Sequence, residues 1–165
     1  MINKKGFTLI ELLLYVSLSG IILFTASGIL TTLFEVRQKD RVIQEVEEQG
    51  ILVAYTIDTY IKNTQSILAP VQYTTSDRLN LYQYNENTSG SVSVYIQDGQ
   101  LLTQEGAGNP VSLTSKQVVV SDLSFHSTGV PNTRGFISYT FTVLSQDVSG
   151  RISYKKVFSG GAAVH

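Results

Sequence analysis

The chain of 165 residues has no cysteine and no tryptophan, and only three prolines and two histidines. Without cysteine there is no disulfide to close a loop and no thiolate to hold a metal, so any folded part must rely on its core alone. The first proline is Pro70, so nothing ahead of it forces a helix to break. The two histidines are His126 and His165, and neither has a Cys, Asp or Glu partner at metal-ligand spacing. His126 therefore reads as a structural or solvated residue. Serines are plentiful, but no Gly-x-Ser-x-Gly elbow occurs, and the glycines have no phosphate-loop spacing. Asp77, Asp98, Asp122 and Asp147 are scattered over turns, and a lone Asp147 falls far short of the oxygens calcium requires. No catalytic residue, cofactor or metal is expected.

Charge is also missing from one long stretch. Between Leu12 and Phe34 no charged residue occurs. A bilayer-spanning helix needs about 20 apolar residues, which this run supplies. Immediately before it stand Lys4, Lys5, Gly6 and then Phe7-Thr8-Leu9-Ile10-Glu11. Glu11 is the anomaly, because a carboxylate inside a membrane helix costs about 2.5 kcal/mol or more and marks a functional site by default. A cleaved secretory signal fits poorly: the run is too long for its apolar region, and a cut near Ala26-Ser27-Gly28 would discard Glu11. A plain signal anchor fits the length and the positive flank of Lys4 and Lys5, yet has no use for Glu11.

A positive leader, a glycine, and an acid just inside an apolar helix together resemble the prepilin signal of type IV pilin-like proteins. The resemblance implies that a membrane-bound prepilin peptidase and methylase cuts the Gly6-Phe7 bond at the cytoplasmic face and methylates Phe7. Gly6 suits a protease cleft because its bare backbone permits close approach. Lys4 and Lys5 would hold the leader in the cytoplasm. Glu11 would recruit subunits, its carboxylate meeting the cationic terminal amine of a neighbour. Two such charges attract strongly in a medium of low dielectric, while either alone is costly to bury. The bland alternative is that Glu11 snorkels to the headgroups. The implied partners are the peptidase, other pilin or pseudopilin subunits, an inner-membrane assembly platform and the lipid bilayer. The implied location is the bacterial cytoplasmic membrane, with the rest of the chain outside the cytoplasm and later in a filament.

Past the membrane run the helical pattern continues. Val36, Ile43, Val46, Gly50, Val53, Ile57 and Ile61 recur at helical spacing, widened by Ala54 and Tyr60, with Lys39, Asp40, Glu45, Glu47 and Glu48 opposite. One helix from Phe7 to Asn63 is expected, roughly 85 Å long at 1.5 Å per residue. Gly20 and Gly28 fall in its membrane half, where glycine permits close packing and Gly28 could also act as a weak breaker.

From Pro70 the period becomes two. Leu79 and Leu81, then Val92, Val94 and Ile96, then Ile137, Tyr139, Phe141 and Val143, followed by Ile152 and Tyr154, mark strand faces. Val118-Val119-Val120 with Leu123 and Phe125 marks a further buried strand region. Asp98-Gly99 is a two-residue hairpin turn, and Gln146 to Gly150 reads as a longer hairpin loop. The expected fold is α+β and pilin-like: a long N-terminal helix packed on an antiparallel meander of about five to seven strands. The expected segments are a leader over 1–6, a membrane or filament-core helix over 7–34, its amphipathic continuation over 35–63, a β-rich exported domain over 70–159 and a flexible tail over 160–165. The hairpin around Asp98-Gly99, flanked by Tyr95-Ile96 and Leu101-Leu102, and the strand into Leu123-Ser124-Phe125 look like the J-type minor pseudopilins and related minor pilins.

The formal charge is −1 and becomes −3 once Lys4 and Lys5 leave, which makes no electrostatic case for nucleic acid. Arg134, Arg151, Lys155 and Lys156 gather near the last strands, where lysines commonly discourage edge pairing. The competing idea is a membrane-anchored binding protein, such as a DNA-capturing tip subunit, with Tyr139 and Tyr154 stacking on bases.

Overall fold

The structure is a computed structural model that describes residues 8–85, 88–128, 135–146, 150 and 153–164. The chain divides into two compact units, Met1–Asp40 and Arg41–His165.

The helix α1 spans Leu9–Lys62 without interruption, through Gly20 and Gly28. Leucine and isoleucine dominate its first half and no proline breaks it. Its end is fixed by Thr64, a buried residue whose hydroxyl donates to the carbonyls of Tyr82 (2.8 Å) and Ser66 (3.2 Å). Within the second unit the buried stripe is Val42, Val46, Gly50, Val53, Ile57 and Ile61. Two members of the expected stripe are corrected. Val36 is exposed, and Ile43 is only half-buried because Val42 takes the inward position one turn before Val46. Ala54 and Tyr60 pack at the margin as expected.

Nine strands follow among the described residues: β1 (Ser66–Ala69), β2 (Thr75–Ser76), β3 (Leu79–Asn85), β4 (Thr88–Gln97), β5 (Gln100–Glu105), β6 (Val111–Ser112), β7 (Val118–Ser127), β8 (Phe136–Gln146) and β9 (Ser153–Ala163). They form two antiparallel sheets, ordered β1-β3-β4-β5-β6 and β2-β7-β8-β9. This is the expected architecture of a long helix on antiparallel β-structure, but the single meander is corrected to two sheets. The physical reason lies at β7. It meets the first sheet through the tip of a hairpin, Val120 N–H donating to Gly99 C=O at 2.8 Å, and so begins new pairing with β8. That tip is the expected Asp98-Gly99 turn. Both residues have positive φ, 53° and 73°, the backbone of a type I′ turn between β4 and β5.

The two sheets and the helix share one core. Val46, Val53, Ile57 and Ile61 meet Leu79, Leu81, Val94 and Leu101 of the first sheet and Phe125, Ile137, Tyr139, Phe141 and Val143 of the second. Each fully buried aliphatic side chain contributes about 1.5–3 kcal/mol. Phe125, Tyr139, Phe141 and Phe158 form a row of rings with centroids 6.3, 6.2 and 5.4 Å apart.

Two expected boundaries also move. Strand structure begins at Ser66, before residue 70, and the flexible tail over 160–165 is corrected, because Gly160 to Ala163 belong to β9. Gly160 lies against the ring of Tyr139 and Gly161 against that of Phe136, where any Cβ would collide. Val164 is buried, and its N–H donates to Gly135 C=O at 2.8 Å. Arg134, Asp147, Arg151, Ile152 and His165 lie outside the described residues, as does most of the Gln146 to Gly150 loop, although its flanks pair at Gln146 and Ser153.

Candidate functional site

Lys4, Lys5, Gly6 and Phe7 lie outside the described residues. Thr8, the first described residue, caps α1. Glu11 N–H donates to the Thr8 carbonyl at 3.1 Å and to its hydroxyl at 3.4 Å, and Leu12 N–H donates to the same carbonyl at 3.2 Å. Thr8 therefore accepts donors that the first turn of a helix leaves without intrahelical partners. Sequence reasoning passed over this residue, yet a signal was there: Thr8-x-x-Glu11 ahead of an apolar run is the capping-box pattern. Glu11 sits in that first turn, where a carboxylate complements the helix dipole, and its side chain is exposed.

The run that follows is long and apolar enough to cross a membrane. Its large side chains, among them Leu14, Ile21, Leu23 and Phe24, are exposed. Four of its hydroxyls bond back to the helix, as lipid surroundings require of polar groups. Ser17 donates to Leu13 C=O (2.8 Å), Thr25 to Ile22 C=O (2.9 Å), and Thr31 and Thr32 both to Gly28 C=O (2.8 and 3.1 Å). Gly20 and Gly28 have open space where a Cβ would be.

In the second unit several polar side chains are engaged with one another. The Tyr139 hydroxyl bonds to the Asp58 carboxylate at 2.8 Å and to the Ala54 carbonyl at 3.0 Å. Burial first, then the hydrogen bond to Asp58 and its negative charge, push the Tyr139 phenol well above its ordinary pKa. Lys156 holds Glu47 of α1 at 2.6 Å, and that hydrogen bond raises the lysine pKa. Lys155, on the other face of β9, stands 3.9 Å from Asp122. The idea of Tyr139 as a base-stacking platform is corrected, because its ring is in the core. Tyr154 is half-buried, with its hydroxyl 3.4 Å from Glu47. His126 Nδ1 lies 3.4 Å from the Thr75 hydroxyl. Among the described residues no group of three His, Cys, Asp or Glu side chains is placed to hold a metal ion.

The structure thus brings together Thr8 and Glu11 at the start of an apolar helix, while residues 1–7 lie outside the described residues. No curated protein and no solved structure matches the chain. A family model described as "Prokaryotic N-terminal methylation motif" matches residues 1–27, which take in Gly6, Phe7, Thr8 and Glu11 and most of the apolar run. The chain therefore carries, at its N-terminus, the prepilin signal of type IV pilin-like proteins.

Proposed function

We propose that this protein is a non-enzymatic filament subunit of the type IV pilus or type II secretion pseudopilus kind, and a minor one of J-type character. The supporting observation is the methylation motif over residues 1–27, placed on a helix long and apolar enough to cross a membrane. In this reading the prepilin peptidase hydrolyses the Gly6-Phe7 bond and the new terminus of Phe7 is methylated. Lys4 and Lys5 keep the leader on the cytoplasmic side, while the β-rich unit stands outside the cytoplasmic membrane. The helix stays with the product, so processing creates a membrane-resident store of subunits rather than a secreted protein.

Assembly is then the protein's work. The apolar side chains exposed along α1 are covered by lipid in the store and by helices of other subunits in the filament. Moving from one cover to the other changes little apolar exposure, so small residues and charges decide the packing. Gly20 and Gly28 leave room for close helix approach, and Glu11 meets the terminal amine of a neighbour. Replacing Gly6 by valine tests the processing step. The variant is expected to remain at full length in the membrane of cells with a working peptidase. Normal removal of the leader from Gly6→Val would contradict the assignment of the cleavage site.

A further inference from the structure

The two sheets leave a gap along one edge of β7. β8 covers the other edge. On the open edge, Ser76 and Thr75 pair opposite Phe125 and His126, and Gly99 C=O accepts from Val120 N–H. Between these two closures, on this edge, no strand pairs with Ser121 to Ser124 among the described residues; on the other edge Ser121 and Ser124 pair with β8, and β7 is bulged between them, with Asp122 at a φ of 55°. A cleft of about 530 Å³ opens at this gap. That volume lies within the range that usually holds small ligands. Ile96 and Leu123 supply apolar lining, and Arg78 and Asp122 are its charged groups together with Asp77.

Arg78 is the unusual member. Its guanidinium lies 4.1 Å from the centroid of the Tyr95 ring, and its backbone N–H is tied to the Ser76 hydroxyl at 3.1 Å. Neither Asp77 nor Asp122 comes within ion-pair distance of it, and among the described residues its side chain has no hydrogen-bond acceptor. Asp122, by contrast, accepts from the Ser121 hydroxyl at 3.0 Å and has Lys155 beside it. A guanidinium placed on an aromatic ring, with no acceptor from the described residues, is suited to bidentate capture of a carboxylate or phosphate. The two aspartates sharing the cleft disfavour a dianion, while Lys155 beside Asp122 offsets one of them, so a monoanion such as a single carboxylate is the anion least repelled.

The shape selects further. A strand added to this edge cannot run through, because β2 closes one end and the Asp98-Gly99 turn closes the other. It must terminate inside the gap. We propose that this cleft binds the free C-terminal end of an extended polypeptide with small apolar final residues, its carboxylate on Arg78 and its backbone along the open edge of β7. Strand addition supplies affinity from main-chain hydrogen bonds, and the terminal carboxylate supplies specificity. The ordinary role of such a bulge is to blunt an edge against pairing, and in that case the cleft takes no peptide.

The experiment uses the isotope-labelled full-length protein in detergent micelles and three probes: acetyl-Ala-Val-Val with a free carboxylate, the same peptide amidated, and inorganic phosphate. The free-acid peptide is expected to shift the amide resonances of Ser121 to Ser124 saturably, and the amide and phosphate are not. Arg78→Gln is expected to weaken that binding by about tenfold or more, as loss of a hydrogen bond to a charged group does. Lys155→Gln, on the outer face, should leave it within about twofold, in line with the small worth of an exposed ion pair. The melting temperature of Arg78→Gln serves as the fold control. No saturable shift, equal binding of the amide, stronger binding of phosphate, or full binding by a folded Arg78→Gln protein would each overturn the proposal.

Discussion

The tip of the Phe158 ring in β9 lies against Gly50 in α1, in the space that any larger residue at position 50 would fill. Gly50 sits in the middle of the buried stripe, and its missing side chain lets the helix approach β9 closely. Glu47 and Lys156 pair one turn away, so the same two elements are joined by packing and by charge.

Gly50→Ala is expected to destabilise the second unit by about 1–3 kcal/mol, the usual cost of overpacking. The gain of about 1 kcal/mol from replacing a helical glycine offsets part of this. Gly28→Ala, with open space at its Cβ, receives the gain without the clash. Chemical unfolding of a fragment beginning at Glu35 checks the first substitution, and helix content of the full-length protein in detergent checks the second. A Gly50→Ala fragment as stable as the wild type would show that Phe158 can move aside at no cost.

Tyr139 makes stability depend on pH at the alkaline end. Its phenol is raised in the folded state above the ordinary value of 10.0. The neutral form is therefore favoured by folding, and its contribution is complete below pH 10 and lost as pH climbs above that value. Urea unfolding between pH 8 and 11 should show stability falling above about pH 10, and Tyr139→Phe should have a shallower fall. Below pH 9 the same variant should be less stable by about 1–2 kcal/mol, since it leaves Asp58 without its donor. Parallel alkaline limbs in the two proteins would mean that Tyr139 is not the titrating group.

Much of this fold was legible in the chain because single rules governed it. The absence of proline before Pro70 and the apolar spacing place α1 within two residues of its observed ends, and Asp98-Gly99 marks its turn because both positions need positive φ. Other features depended on contacts between distant residues. Val42 and Ile43 are both apolar and adjacent, and only packing against the sheets selects Val42. Gly160 and Gly161 have the composition of a loose tail, yet they are the clearance for Tyr139 and Phe136, rings some twenty residues earlier in the chain. The split into two sheets turns on one backbone bond from Val120 to Gly99, which leaves no mark on hydrophobic period. At the N-terminus the motif was legible without any structure, whereas the cap made by Thr8 was hidden behind the more conspicuous Glu11.

Glu11→Leu separates insertion from assembly. Removing the carboxylate should ease membrane insertion by ~2 kcal/mol or more, leave processing largely intact, and reduce incorporation into filaments. Immunoblots of membrane and sheared-filament fractions measure both. Normal incorporation of Glu11→Leu would make snorkelling the better explanation of this residue.

The most direct measurement is the mass of the N-terminal peptide of the protein isolated from cell membranes containing a prepilin peptidase. The expected peptide begins at Phe7 and carries one added methyl group on its terminal nitrogen. A chain still beginning at Met1, or one cut beyond Glu11, would contradict the reading of this protein as a processed filament subunit.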